Sequence, residues 1–182
     1  MNKIFQNIAS RFPSQEQMIL AAGSIELFIF SWSLRGFFFR APSYILYMNI
    51  GQILAVAAYY MAFALLESAL VLIVFALAAA ILPSNWLKQN FGVGSFPMIL
   101  VIAVSSYYLQ QQITYAYPGI KYIAIWYGST LLGAAIMAAV FIFVPILRKW
   151  LGWLVEQVSI FAYLYTFIGV ISLLTVIIRL VI

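Results

Sequence analysis

From Ala69 to Leu82, and again from Ala134 to Leu147, the chain carries no charged or amide side chain, and this feature constrains its fold more than any other. Apolar runs approaching the ~20 residues that cross a bilayer core belong either deep inside a large soluble protein or in lipid. Composition decides between the two. Of 182 residues, 66% are hydrophobic and 7% charged, against about 45–50% and about 25% in ordinary soluble domains. Nine Lys and Arg with four Glu are too few to cover the outer face of a soluble fold of this length. A transmembrane β-barrel needs apolar and polar residues alternating over about ten positions at a time, and these runs do not alternate. The expected fold is therefore all-α, a polytopic bundle of about five spans in the inner or plasma membrane.

Residues 1–13 place Ile4, Phe5, Ile8 and Phe12 at helical spacing, with Lys3, Gln6, Asn7 and Arg11 elsewhere on the wheel, and read as a short interfacial helix stopped by Pro13. A cleaved signal peptide fits less well, because Glu26 interrupts the apolar run from Met18 and no persuasive cleavage site follows. Ser14 and Gln17 have the form of a capping box opening the first span, about 17–36. Arg35 and Arg40 bracket Gly36 to Phe39 in the pattern of a headgroup boundary, and Pro42 with Ser43 is expected to start a second helix.

From Tyr44 to Leu82 there is no proline, and one helix over that length would be about 58 Å long, while the bilayer core is about 30 Å thick. The preferred reading is a single long helix that begins in or above the interface near Asn49, Gly51 and Gln52 and crosses over about 56–82. A hairpin at Glu67 and Ser68 would need a turn where no Gly, Pro or Asn stands. A third span is expected at about 96–115, a fourth at about 120–147 after the Pro118–Gly119 turn, and a fifth at about 154–178. Lys121, Trp126, Arg148, Lys149, Trp150 and Trp153 read as interface anchors. No internal repeat divides the chain, which is read as a single membrane domain. Basic residues split almost evenly between the two sides of a five-span topology; the adjacent Arg148 and Lys149, with the amino terminus, favour an N-terminus in the cytoplasm.

The chain has no Cys and no His, and its four acidic residues are all Glu: Glu16, Glu26, Glu67 and Glu156. Zinc sites, Cys nucleophiles, His bases, His-ligated haem and carboxylate clusters all need side chains that are missing or too sparse. No enzymatic activity, catalytic residue, metal site or cofactor is expected, and no nucleic-acid partner. Ser84 and Lys88 have the spacing of a Ser/Lys pair, but a serine in Pro83-Ser84-Asn85 reads as a helix cap.

Glu67 is the one carboxylate deep in an apolar run, with Tyr60 on its side of the helix. A charge in hydrocarbon is costly, so a glutamate there needs a donor, a cation or a proton. Gln110, Gln111 and Gln112 make the end of the third span the most polar of any, suited to a wet vestibule or simply to an interface. Ala55, Ala62, Ala69 and Ala76 recur every seven residues as a helix-packing seam, and Ser129 with Gly133 offers a second small surface in the fourth span. Glu156, seven residues from Lys149, reads as its interfacial ion-pair partner. These features point to a non-catalytic membrane protein, a structural or accessory subunit acting through helix packing and lipid contact. Its expected partners are membrane lipids and either other membrane subunits or further copies of itself. The competing reading is a small oligomeric transporter or channel in which Glu67 couples protons or cations. Convergence of Glu67 and Gln110 to Gln112 on one cavity would favour transport.

Overall fold

The computed structural model describes residues 12–81, 90–115 and 119–181. They form six helices, α1 (Gln15–Tyr47), α2 (Ile50–Ile81), α3 (Phe91–Tyr115), α4 (Ile120–Phe143), α5 (Pro145–Val158) and α6 (Ile160–Val181). Five described segments are long and apolar enough to cross a membrane: one in each of α1 to α4, and Pro145–Val181, in which α5 and α6 meet. The chain is a helical integral membrane protein. α1 is central and touches α2, α3, α5 and α6, whereas α4 packs mainly on α3. α1, α3 and α6 run in one direction and α2 and α4 in the other. One end of the bundle gathers Ala21, Ala76, Ala79 and Phe91, and the opposite end gathers Tyr47, Gln52 and Arg179.

The packing is the reverse of a soluble core. Most buried positions hold small side chains, among them Ala21, Ala64, Ala79, Ala134, Ser24 and Ser68, while large ones such as Leu54, Phe63, Leu70, Leu131, Ile146 and Phe167 are exposed. Lipid tails are as apolar as Leu, so burying Leu gains little, and helices associate where small residues let their backbones approach. The closest approaches fall at three glycines. A Cβ on Gly92 would lie 2.6 Å from Leu20 Cβ, one on Gly23 would lie 2.7 Å from Ser159 Cα, and one on Gly169 would lie 2.8 Å from Leu65 Cβ. The buried hydroxyls are satisfied within their own helices: Ser24 Oγ donates to Leu20 O at 3.1 Å, Ser68 to Leu65 O at 2.9 Å and Ser95 to Gly92 O at 2.8 Å.

Helix ends differ from the sequence expectation in four places. Pro42 does not open a second helix; it lies inside α1, which runs on to Tyr47. The break comes at Met48 and Asn49, where Asn49 N donates to Gln52 Oε1 at 3.0 Å and Gln52 N donates to Asn49 Oδ1 at 2.9 Å. That reciprocal pair is a capping box made by Asn and Gln, and it supplies the start signal that the segment after Tyr44 lacked on first reading. From there α2 continues unbroken through Glu67 and Ser68 to Ile81, with no hairpin. At the other end of α1, Ser14 Oγ accepts from Gln17 N at 3.4 Å, but the Gln17 side chain accepts from Gly92 N at 2.8 Å and so joins the first turns of α1 and α3.

α3 starts at Phe91, ahead of the expected 96, and carries Pro97 within it. α4 ends at Phe143 and Pro145 occupies the first turn of α5, where a missing N–H leaves no bond unmade. The expected fifth span, 154–178, falls within the apolar segment Pro145–Val181 and takes in the junction of α5 and α6. α5 is an amphipathic helix that buries Leu151 and Val155 and exposes Trp150 and Trp153. Lys149 and Glu156 are both exposed on α5. They form no ion pair among the described residues, since seven positions separate them and facing side chains on a helix are three or four apart. Residues 1–11 of the expected interfacial helix, together with Ser84 and Lys88, lie outside the described residues.

The contact at Gly23 yields a stability prediction. Gly23→Ala pushes a methyl into the Ser159 and Val158 backbone, which cannot move aside as a side chain can, and is expected to cost about 1–3 kcal/mol. Ala69→Leu, at an exposed position of α2, is expected to leave stability unchanged. Thermal unfolding of the two variants in one detergent checks both; equal melting temperatures would contradict the close approach.

Candidate functional site

Inside the bundle, two polar contacts cross between helices. In α3 and α4, Trp126 Nε1 donates to Ser105 Oγ at 2.8 Å, Ser105 and Thr130 share a hydrogen bond, and Thr130 Oγ1 donates to Trp126 O at 2.8 Å. Because the Thr130 proton is already used, Ser105 is the donor of the middle bond and the three residues close a one-way circuit. The second contact joins α1 to α6, where Thr166 Oγ1 donates to Glu26 Oε1 at 2.8 Å. Glu26 is 6% exposed, and its second oxygen, Oε2, is buried with no hydrogen-bond partner among the described residues. Sequence reasoning treated Glu26 only as an interruption of the first span. Its partner lies 140 residues away, so no local spacing could have announced it.

Toward the other end, the C-terminal half of α1 carries Arg35 and Arg40, both exposed. The Arg35 guanidinium stacks over two rings, 5.2 Å from the Trp32 centroid one turn back and 5.0 Å from that of Tyr107 on α3. This is cation–π geometry that fixes where the charge sits. Arg40 and Tyr44 both engage the Tyr60 hydroxyl of α2, and Phe37 sets its ring edge-on to Tyr60 with centroids 5.9 Å apart. Two cavities flank this stretch of α1. One, of about 400 Å3 between α1 and α3, is lined by Trp32, Arg35, Gly36, Phe39, Arg40, Gln110 and Gln111. The other, of about 500 Å3 between α1 and α2, is lined by Trp32, Ser33, Gly36, Arg40, Tyr59, Tyr60, Phe63 and Glu67. Trp32, Gly36 and Arg40 belong to both.

The residues singled out from the sequence are distributed around this edge. Gln110 and Gln111 open onto the α3 flank, while Gln112 is exposed beside them. Glu67 and Tyr60 line the α2 flank. Glu67 is exposed and makes no hydrogen bond or ion pair among the described residues, and the Tyr60 hydroxyl is engaged elsewhere. Glu67 and the glutamines thus adjoin one another across Arg40 without sharing one cavity. In α2, Ala62 and Ala76 are buried, Ala55 is half-buried and Ala69 is exposed. The buried row that faces α1 and α6 also includes Met61, Ala64, Ser68 and Ala79. On α4, Ser129 is exposed and Gly133 half-buried, the latter with Val101 Cγ1 4.0 Å from where a Cβ would stand.

Among the described residues no three His, Cys, Asp or Glu side chains come together. What the α1 edge offers chemically is fixed positive charge beside amide and phenol groups, a setting for holding an anion. Comparisons with protein families, curated proteins and solved structures found no match to this chain.

Proposed function

We propose that this protein is a non-catalytic membrane module, a structural or accessory subunit that works by packing against other membrane helices and lipid. The observation that carries this reading is the outward face of α2. Phe63, Leu66, Leu70, Val74 and Leu77 form an exposed stripe with Glu67 inside it, at spacings of three and four that place all six on one face. An ionisable side chain on a lipid-facing surface costs on the order of 3 kcal/mol. A hydrogen bond or cation from a neighbouring subunit offsets part of that cost, roughly 0.6–2 kcal/mol for one interhelical bond, and the large residues around Glu67 supply packing area.

The transport reading keeps one specific support, the adjacency of Glu67 and the glutamine-lined cavity across Arg40. The end that carries the start of α1 also carries α5, as the contact of Gly23 with Ser159 places it. Arg148 and Lys149 therefore share a side with the beginning of α1, and this adjacent pair supports a cytoplasmic reading of that side.

Three measurements test this set. Size analysis in mild detergent is expected to give an assembly larger than one 20.5 kDa chain, which Glu67→Leu disperses with helicity unchanged; a wild type that is monomeric and extracts with no partner would remove the accessory reading. Reconstituted liposomes under a pH gradient are expected to show no proton flux. Flux that Glu67→Gln abolishes would establish transport instead. Because the chain has no Cys, Lys149→Cys provides a single labelling site, expected to react with an impermeant maleimide only after cells are opened. Labelling of intact cells would invert the topology.

A further inference from the structure

We propose that the cavity between α1 and α3 binds the phosphate of an anionic lipid headgroup through Arg35 and Arg40. The site rests on the membrane placement of the bundle and stands whether or not α2 carries a docking face. Four observations converge on it. First, two guanidinium groups line one cavity, and none of the described lining residues is acidic. Each guanidinium presents five N–H donors in a planar fork suited to phosphate oxygens. Second, the Arg35 position is set by the Trp32 and Tyr107 rings on either helix, 5.2 and 5.0 Å from its central carbon, so little side-chain freedom remains to be lost on binding.

Third, the lining also includes the carboxamide of Gln111, whose NH2 group suits a remaining oxygen or a glycerol hydroxyl. A volume of about 400 Å3 holds a phosphodiester with its polar substituent. Fourth, the cavity lies toward one end of the bundle, within reach of a bilayer surface. Arg40 and Arg35 are about 10 and about 18 Å from the end of α1, and arginine side chains extend toward the surface from such depths. Phe39, 85% exposed at the rim, offers an apolar surface for the start of an acyl chain.

The electrostatics of this end favour an anion from outside the chain. Arg35, Arg40, Lys121 and Arg179 all lie toward it, while Glu16, Glu26 and Glu156 lie toward the other. Glu67 sits nearer the middle, on the α2 flank of Arg40. A phosphate on the α3 flank therefore meets two cations and no described carboxylate. A lipid is the source we assign, because the lining helices α1 and α3 belong to membrane-crossing segments and the cavity is bordered by an exposed aromatic.

The test uses the full chain, extracted from an equimolar mixture of phosphatidylglycerol and phosphatidylcholine, with retained lipid counted by native mass spectrometry. Wild type is expected to keep phosphatidylglycerol at least about tenfold over phosphatidylcholine, and Arg35→Gln with Arg40→Gln together to lose that preference. Lys149→Gln, a basic residue on α5, serves as the control and is expected to keep it. Equal retention of the two lipids by wild type overturns the proposal even if the arginine variants do not fold. So does a preference that survives in a folded double variant. A second arm adds millimolar inorganic phosphate during extraction. Displacement of the lipid by phosphate alone would assign the cavity to a soluble anion and overturn the lipid assignment, and persistence of the lipid supports it.

Discussion

Hydrocarbon accepts and donates no hydrogen bonds, and every other feature of this structure follows from that. Each backbone group within the spans must be satisfied inside its own helix, so the chain is helical throughout its described membrane segments. The same solvent removes the usual reason to bury large apolar side chains. What remains to hold helices together is close contact, and close contact needs small residues. The approaches at Gly23 and Gly169, with alanine and serine across the remaining buried positions, are the consequence. Leucine and phenylalanine on the outside are equally a consequence: they face a solvent that resembles them.

Polar side chains then divide by whether the chain itself supplies their partner. Buried serines bond back to their own helix, Trp126, Ser105 and Thr130 close a circuit, and Thr166 reaches one oxygen of Glu26. These contacts join α1 to α6 and α3 to α4 with directional bonds that small-residue packing alone does not provide. A second set has no such partner among the described residues. Glu67 stands in an exposed apolar stripe, and Arg35 has only aromatic faces against it. Groups of the first kind specify the bundle. Groups of the second kind are where its surroundings, whether a neighbouring helix or a lipid phosphate, have something to add.

Legibility in the sequence follows the same division. Helical class, membrane placement and the count of spans were readable because they depend on long runs of one chemistry, as in Ala69 to Leu82. Boundaries were readable where the signal was local and familiar, as at Gly119 ahead of α4, and differ where Pro42 with Ser43 is expected to open a helix. Pro42 sits inside α1 because the stronger signal is the Asn49–Gln52 capping box a little further on. Of the alanines spaced seven apart on α2, Ala62 and Ala76 are buried, Ala55 is half-buried and Ala69 is outside, while the buried row also takes in Met61, Ala64 and Ser68. The two polar centres were the least legible. Glu26 with Thr166, and Arg35 with Tyr107, are contacts between distant segments, and one sequence contains no signal for them.

Depth along the bundle carries a last step of argument. Glu26 and Glu67 are carboxylates within membrane-crossing helices, yet the chain treats them oppositely. Glu26 is enclosed at the α1–α6 contact, where the close approach at Gly23 draws α1 against the α5–α6 junction only one turn away. That carboxyl is committed to internal structure, and a bond from Thr166 orients it. Glu67 lies on a face that the bundle leaves uncovered. A residue so costly in lipid calls for compensation from its surroundings on an outward face, whereas for the enclosed Glu26 the chain itself supplies the bond to one carboxylate oxygen. On the proposed reading, the outward carboxylate and the outward arginines, rather than the enclosed glutamate, are the groups through which this protein meets the rest of the membrane.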